Sequence, residues 1–303
     1  MAAERVSGVL LSSGMLKLVG TDSVAHTPKS RIFLNGDPTG VVYRLAWDNG
    51  MVPYFHLPAF FEKYGRKEPQ QQTHIPATFA RGHAEKTFWE VLAMDPAYLQ
   101  RFLKGMSVIE GRSPAAGIYD FGWLVEKAKQ ESDRTVFVDV GGGKGHALLA
   151  IHGEFPDLPL DRMVLQDRPE SIQAVEAAGD PSLAKVQKVS MDFHTDQPTK
   201  GAMVYFVRRC LHNYSDTIVV NILRVLAEAM AADSHLLIQE DVKSMPPDPD
   251  NAVLDFLMMT YGGKERTLQC WEDVLGKAGL KLVGVSQGSG PWASLSVIDC
   301  VKA

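Results

Sequence analysis

The chain is poor in cysteine. Three occur in 303 residues (Cys210, Cys270, Cys300), an odd number with no Cys-x-x-Cys pair. That excludes a disulfide scaffold and points to a reducing compartment such as the cytoplasm. No His/Cys cluster has zinc-ligand spacing, so no metal is expected. Long apolar runs are also missing, and none reaches the ~20 residues needed to span a bilayer. The opening MAAERVSGVLLSSGMLKLVG carries charge early and is broken by Ser and Gly, so it reads as an amphipathic helix, not a leader peptide. An excess of positive charge is absent too. Lys and Arg number 31 against 36 Asp and Glu, a formal net charge of −5, which offers nucleic acid and anionic membranes no general attraction. Repeats and low-complexity tracts are lacking. What remains is ordinary globular composition, 45% hydrophobic and 22% charged, long enough for one large domain or two moderate ones.

Two textures divide the chain. Residues 1–106 are mostly helical. Val6, Val9, Leu10 and Leu11 mark one helix face, and Lys17–Thr27 reads as two short strands around Gly20-Thr21-Asp22, a winged-helix-like element. Helical patterns follow over Val42–Tyr64, Ala84–Met94 and Pro96–Met106. In 107–303 strands and helices alternate. The strands are Thr135–Val140, Met163–Asp167, Val186–Asp192, Ala202–Leu211 and Ser234–Asp241, then two closing strands, KLVGVSQG and LSVIDCVK. The expected fold is α/β: a Rossmann-like, doubly wound, mostly parallel seven-stranded sheet with an antiparallel addition at one edge.

The sharpest motif is Asp139-Val140-Gly141-Gly142-Gly143-Lys144-Gly145, directly after the first strand. Gly141, Gly143 and Gly145 let the backbone turn tightly where ligands bind in such sheets. The dinucleotide fingerprint fails, because its third glycine falls on His146; a P-loop fails for want of Gly-Lys-Ser/Thr. The pattern fits Asp-x-Gly-x-Gly-x-Gly. Asp167, ending the second strand, can accept both hydroxyls of an adenosine ribose, or cap the next helix. Asp192 could meet an adenine amino group with Phe193 on the purine face, or be a turn residue. His212 follows the fourth strand, where an imidazole can take a proton near neutral pH; Glu240 ends the fifth strand and Glu265 lies in GGKERT, both placed to orient it. A loop histidine, a solvated strand-end carboxylate and a local partner of Lys264 or Arg266 are the plain alternatives for the three.

DVGGGKG, MVLQDRPESI, VSMDF, RRCLHNYSD, LLIQED and GGKERT, in that order, together resemble the caffeic acid O-methyltransferase-like class of plant and fungal S-adenosylmethionine (SAM) dependent O-methyltransferases. The resemblance covers essentially the whole chain. It implies a class I methyltransferase domain behind an N-terminal winged-helix-like substrate and dimerisation region. It implies SAM as cofactor and S-adenosylhomocysteine as product. His212 then stands as general base and Glu240 and Glu265 as its orienting carboxylates. Asp167 takes the ribose-binding role, Asp192 and Phe193 contact adenine, and Arg168 and Arg208 lie at the cofactor. The implied acceptor is a hydroxylated small molecule of secondary metabolism. Phe79, Phe88, Trp89, Met258, Met259 and Tyr261 are candidates for an apolar substrate wall, or simply core.

Three features depart from the family. The chain starts where the family is already inside its N-terminal domain, which puts a homodimer through that domain in doubt and predicts an exposed apolar surface there. The usual His-Asp-Trp reads His212-Asn213-Tyr214. Arg208 and Arg209 stand together, and are expected to depress the pKa of His212. A second reading is therefore a SAM-binding relative that directs pericyclic or dehydration chemistry without methyl transfer. A third is a non-enzymatic SAM-binding scaffold.

Overall fold

The computed structural model describes residues 2–34, 36–110 and 113–303. Helix Ala2–Ser12 leads into an antiparallel hairpin of β1 (Leu16–Val19) and β2 (Ser23–His26), with Leu16 opposite His26. Helix Pro38–Ala46 passes through a wide π-turn at Trp47–Met51 into helix Val52–Tyr64. After a short helix at Pro76–Phe79, the next helix starts at Phe88, not at Ala84 as the periodicity suggests. Thr87 and Glu90 close a capping box there: Glu90 Oε2 accepts from Thr87 N at 2.8 Å and Thr87 Oγ1 from Glu90 N at 3.3 Å. Helix Pro96–Glu110 then carries the chain across position 106.

The large sheet contains β3 (Phe137–Val140), β4 (Met163–Asp167), β5 (Gln187–Ser190), β6 (Val204–Arg208), β7 (His235–Asp241), β8 (Leu280–Gln287) and β9 (Leu295–Lys302). Their order is β5-β4-β3-β6-β7-β9-β8. All run parallel except β9, which pairs antiparallel with both β7 and β8. The antiparallel strand thus lies inside the sheet, with β8 at the edge.

All four residues of β3 are buried. Neighbouring side chains feed opposite cores: Phe137 packs with Leu148, Ile151 and Leu165, while Val138 packs with Leu223, Ile238 and Trp271. That is the two-residue period of a strand covered on both faces. Helix Asp216–Ala229 buries Val219, Ile222, Leu223 and Leu226 on one stripe, each contributing roughly 2 kcal/mol by removal from water. Because β3 pairs with both β4 and β6, the winding reverses beside it. The carboxyl ends there define the crevice in which open α/β sheets bind ligands. Among the described residues no helix is long and apolar enough to cross a membrane. The N-terminal region does expose apolar side chains, including Val9, Leu18, Tyr43 and Phe55.

Candidate active site

The turn after β3 is built as its glycines require. Gly141, Gly143 and Gly145 have φ of +70°, +56° and +77°, a region that disfavours residues with a Cβ. Gly142 is needed for space: a Cβ there would lie 2.4 Å from the Asp139 carboxyl and 2.6 Å from Leu165 Cδ1. A Cβ on Gly143 would meet nothing within 4 Å, so the turn presents an open backbone face. Asp167, at the end of β4, accepts from Gly143 N at 2.8 Å and from Arg168 N at 2.8 Å. It therefore ties the second strand to the glycine turn. Beneath the turn, Asp139 is buried and its Oδ2 has no hydrogen-bond partner. Burial pushes its carboxyl up to about 7, against the opposing charge of Arg208.

Of the other predicted cofactor residues, Phe193 meets this turn. Phe193 lies beside Gly141, its Cε1 3.6 Å from where a Cβ would stand. Phe193, His194 and Tyr214 form an aromatic group, with centroids 4.9 Å apart for Phe193–His194 and 5.0 Å for His194–Tyr214. Asp192 is exposed, and its Oδ1 accepts from His194 N at 2.9 Å, a local turn bond. Arg168 pairs with Glu170 at 2.6 Å and stands 5.9 Å from the Trp89 ring. Arg208 Nη2 donates to Ser113 O at 2.9 Å, pinning the segment before β3 over the end of β6.

His212 is carried by a sharp change of direction. Arg209 takes φ +52°, strained for a non-glycine residue, and a single 3-10 turn at Leu211–Asn213 follows. Three residues distant in the chain hold that turn. Glu240 Oε1 accepts from Leu211 N at 2.8 Å and His212 N at 3.3 Å. Lys264 N donates to His212 O at 2.9 Å, an approach open only because residue 263 is glycine: a Cβ there would lie 2.0 Å from that oxygen. Arg266, itself buried, donates to Leu211 O at 3.2 Å, Tyr214 O at 2.7 Å and Asp216 at 2.8 Å, with its guanidinium 5.2 Å from the Trp271 ring. The turn touches the glycine loop through Cys210, whose Sγ would stand 3.0 Å from a Cβ on Gly141.

His212 Nδ1 faces Glu265 Oε1 at 2.7 Å and Glu240 Oε2 at 3.6 Å, and all three residues are buried. Burial pulls the imidazole down, but the charges of Glu240 and Glu265 and the Glu265 hydrogen bond outweigh it, so the pKa of His212 is raised. This reverses the expected depression by the arginines. Arg209 does oppose protonation, but its guanidinium is engaged by Asp241 at 2.6 Å, and Arg208 turns to Ser113. Burial raises Glu240 in turn, with the His212 charge opposing.

Of the substrate-wall candidates, several are core. Phe88 is buried and packs edge-on against Tyr261 at 4.7 Å and Phe102 at 5.3 Å, and Met258 is buried, while Phe79 is half-buried with its ring 5.6 Å from Phe60. Met259 lines a cavity of about 320 Å³ with Pro69, Ser215, Phe256 and Gly263, against the backbone of the His212 turn. Arg266 and Asp255, which accepts from Glu265 N at 2.9 Å, escape a reading by local pattern. Arg266 had one available signal, its place beside Glu265 in GGKERT.

An O-methyltransferase domain family matches residues 67–281, which include the glycine turn, Asp167, His212, Glu240 and Glu265. The chain belongs to this O-methyltransferase family. Methyltransferase cfoD of Aspergillus candidus is 39% identical over 308 residues, covering 99% of this chain and 75% of its own. Methyltransferase fsa4 of Fusarium sp. (strain FN080326) is 35% identical over 285 residues, 94% of this chain and 79% of its own. Among solved structures of the same fold, OxaC in complex with SAH and oxaline superposes with a TM-score of 0.82 at 25% identity, covering 99% of this O-methyltransferase family member and 74% of OxaC. LepI in complex with SAM has a TM-score of 0.81 at 23% identity, covering 99% and 76%.

Proposed function

We propose that this protein is a SAM-dependent O-methyltransferase acting on a hydroxyl of a small aromatic or polyketide-type metabolite, with His212 as general base. One observation carries the reading: a buried imidazole bonded at 2.7 Å to Glu265, on a turn that meets an open glycine loop through Cys210. The cofactor would be held by the backbone of Gly141, Gly143 and Gly145, by Asp167 and Arg168, by Asp192 and Phe193, and by Arg208. The open backbone face at Gly143 suits a polar ligand. When bound, SAM supplies an electrophilic methyl group on sulfur to the acceptor oxygen. His212 leaves Nε2 to take the acceptor's hydroxyl proton, because Nδ1 is committed to Glu265. The resulting imidazolium lies between two carboxylates that stabilise it, as an orienting acid does in a triad. Glu240 fixes the turn through Leu211 N and His212 N, so the imidazole arrives already aimed.

The likeness in fold to LepI, and to a chain titled a pericyclic reaction enzyme, keeps a reading without methyl transfer as a defined outcome of the test. Wild type and His212→Ala are incubated with labelled SAM and a panel of phenols and polyketides. We expect methylated product with release of S-adenosylhomocysteine, reduced about 10²–10⁴-fold in the variant. Product formed without that release assigns the non-methylating chemistry. SAM binding with no turnover of any acceptor defeats both.

A further inference from the structure

We propose that His212, Glu240 and Glu265 also form a chelating site for a divalent transition-metal cation, and that its occupation switches the base off. One ligand atom from each residue lies within 4.8 Å of the others, and among the described residues this is the one such group of three. Two edges of the triangle measure 2.7 and 3.6 Å, from Nδ1 to Glu265 and to Glu240. A zinc-like ion bonded at about 2.0–2.2 Å in tetrahedral geometry sets its ligand atoms about 3.4 Å apart, within about 1.5 Å of the present spacing.

An independent observation points to a cation. Glu240 Oε2 and Glu265 Oε2 are both fully buried with no hydrogen-bond partner. A buried carboxylate oxygen without a donor is costly; Glu240 Oε2 stands 3.6 Å from His212 Nδ1, and a cation bound there would give it a partner. The remaining polar groups already orient the ligands. Glu240 Oε1 is held by two backbone N–H groups, and the backbone of Glu265 is held by Asp255. Imidazole and carboxylate donors, without a thiolate, suit Zn²⁺, Co²⁺, Ni²⁺ or Mn²⁺.

The consequence for catalysis rests on the base role assigned above; the binding itself does not. A cation on Nδ1 occupies that lone pair. The neutral imidazole then carries its single proton on Nε2, which becomes a donor and cannot accept the substrate's proton. As the cation enters, the Nδ1 proton is replaced and one proton settles on Nε2, so the imidazole stays neutral, no net proton is released, and nothing is oxidised or reduced.

The experiment is a Co²⁺ titration of the purified, EDTA-treated protein, followed by visible ligand-field absorption. One Co²⁺ per chain is expected, reversed by EDTA and displaced by Zn²⁺. The bands persist in Cys210→Ser and vanish in His212→Asn and Glu265→Gln, each checked for cooperative melting; if one variant fails to fold, the other decides. Saturating Co²⁺ is expected to slow methyl transfer at least 10²-fold, reversibly, a loss of the size that removal of a general base produces. No bands in wild type, or bands surviving in His212→Asn, overturns the site. Bands in a protein that transfers no methyl group when metal-free leave the site standing and remove the catalytic assignment.

Discussion

Asp139 offers the most direct check of the electrostatics beneath the glycine turn. Its carboxyl is buried, one oxygen is unpartnered, and its pKa rises from 3.8 to about 7. Burial is the main cause, with the Asp167 charge adding to it and Arg208 and a Leu148 backbone bond opposing. A raised acid holds its proton longer in the folded chain than in the unfolded one. Between the two values the folded state binds more protons, so stability is full below about pH 4 and falls as pH rises to about 7. Three pKa units at about 1.4 kcal/mol each give about 4 kcal/mol in all, of which about 3 kcal/mol is lost between about pH 5 and about pH 9. Asp139→Asn has no proton to lose. Its amide brings a different hydrogen-bonding need, but that offset is the same at both pH values and cancels in the difference. Urea denaturation of wild type and variant at the two pH values is the assay. The wild type is expected to lose about 3 kcal/mol more than the variant on going to the higher pH. Equal pH dependence in the two proteins, or a steeper one in the variant, refutes the account of Asp139 as a buried, proton-retaining acid.

Two further outcomes follow from geometry. Gly142→Ala places a methyl 2.4 Å from the Asp139 carboxyl, whereas at Gly143 a methyl meets nothing and only φ +56° is strained. Thermal melts are expected to show a loss of up to about 3 kcal/mol for the first and about 1 kcal/mol for the second, and the reverse order would show the turn misplaced. Arg266→Lys replaces a fork that reaches Leu211 O, Tyr214 O and Asp216 with one ammonium. A loss of about 3 kcal/mol in urea unfolding is expected, and wild-type stability in the lysine variant would remove Arg266 from the support of the His212 turn.

The residues that were legible in the sequence are those whose role is local. The β-branched run ending at Val140 reads as a strand buried on both faces because every residue in it is apolar or covered. The glycine turn reads as a ligand loop because closely spaced glycines have few other uses. What stayed hidden depends on partners far along the chain. The place of β9 between β7 and β8 is set by sheet pairing, and no local pattern records it. Phe88 and Met258 read equally as pocket or core, since apolar spacing is the same for both, and the structure places them in the core. The pKa of His212 shows the limit most plainly. Adjacent arginines in the sequence argue for a lowered value. In the fold Arg209 is answered by Asp241, 32 residues later, while Glu240 and Glu265 arrive from 28 and 53 residues away to face the imidazole. Charge three or four residues away along a strand end therefore says little about the field at a side chain. That field is decided by which carboxylates the sheet order and the GGKERT loop bring within a few ångströms, and here they outvote the arginines.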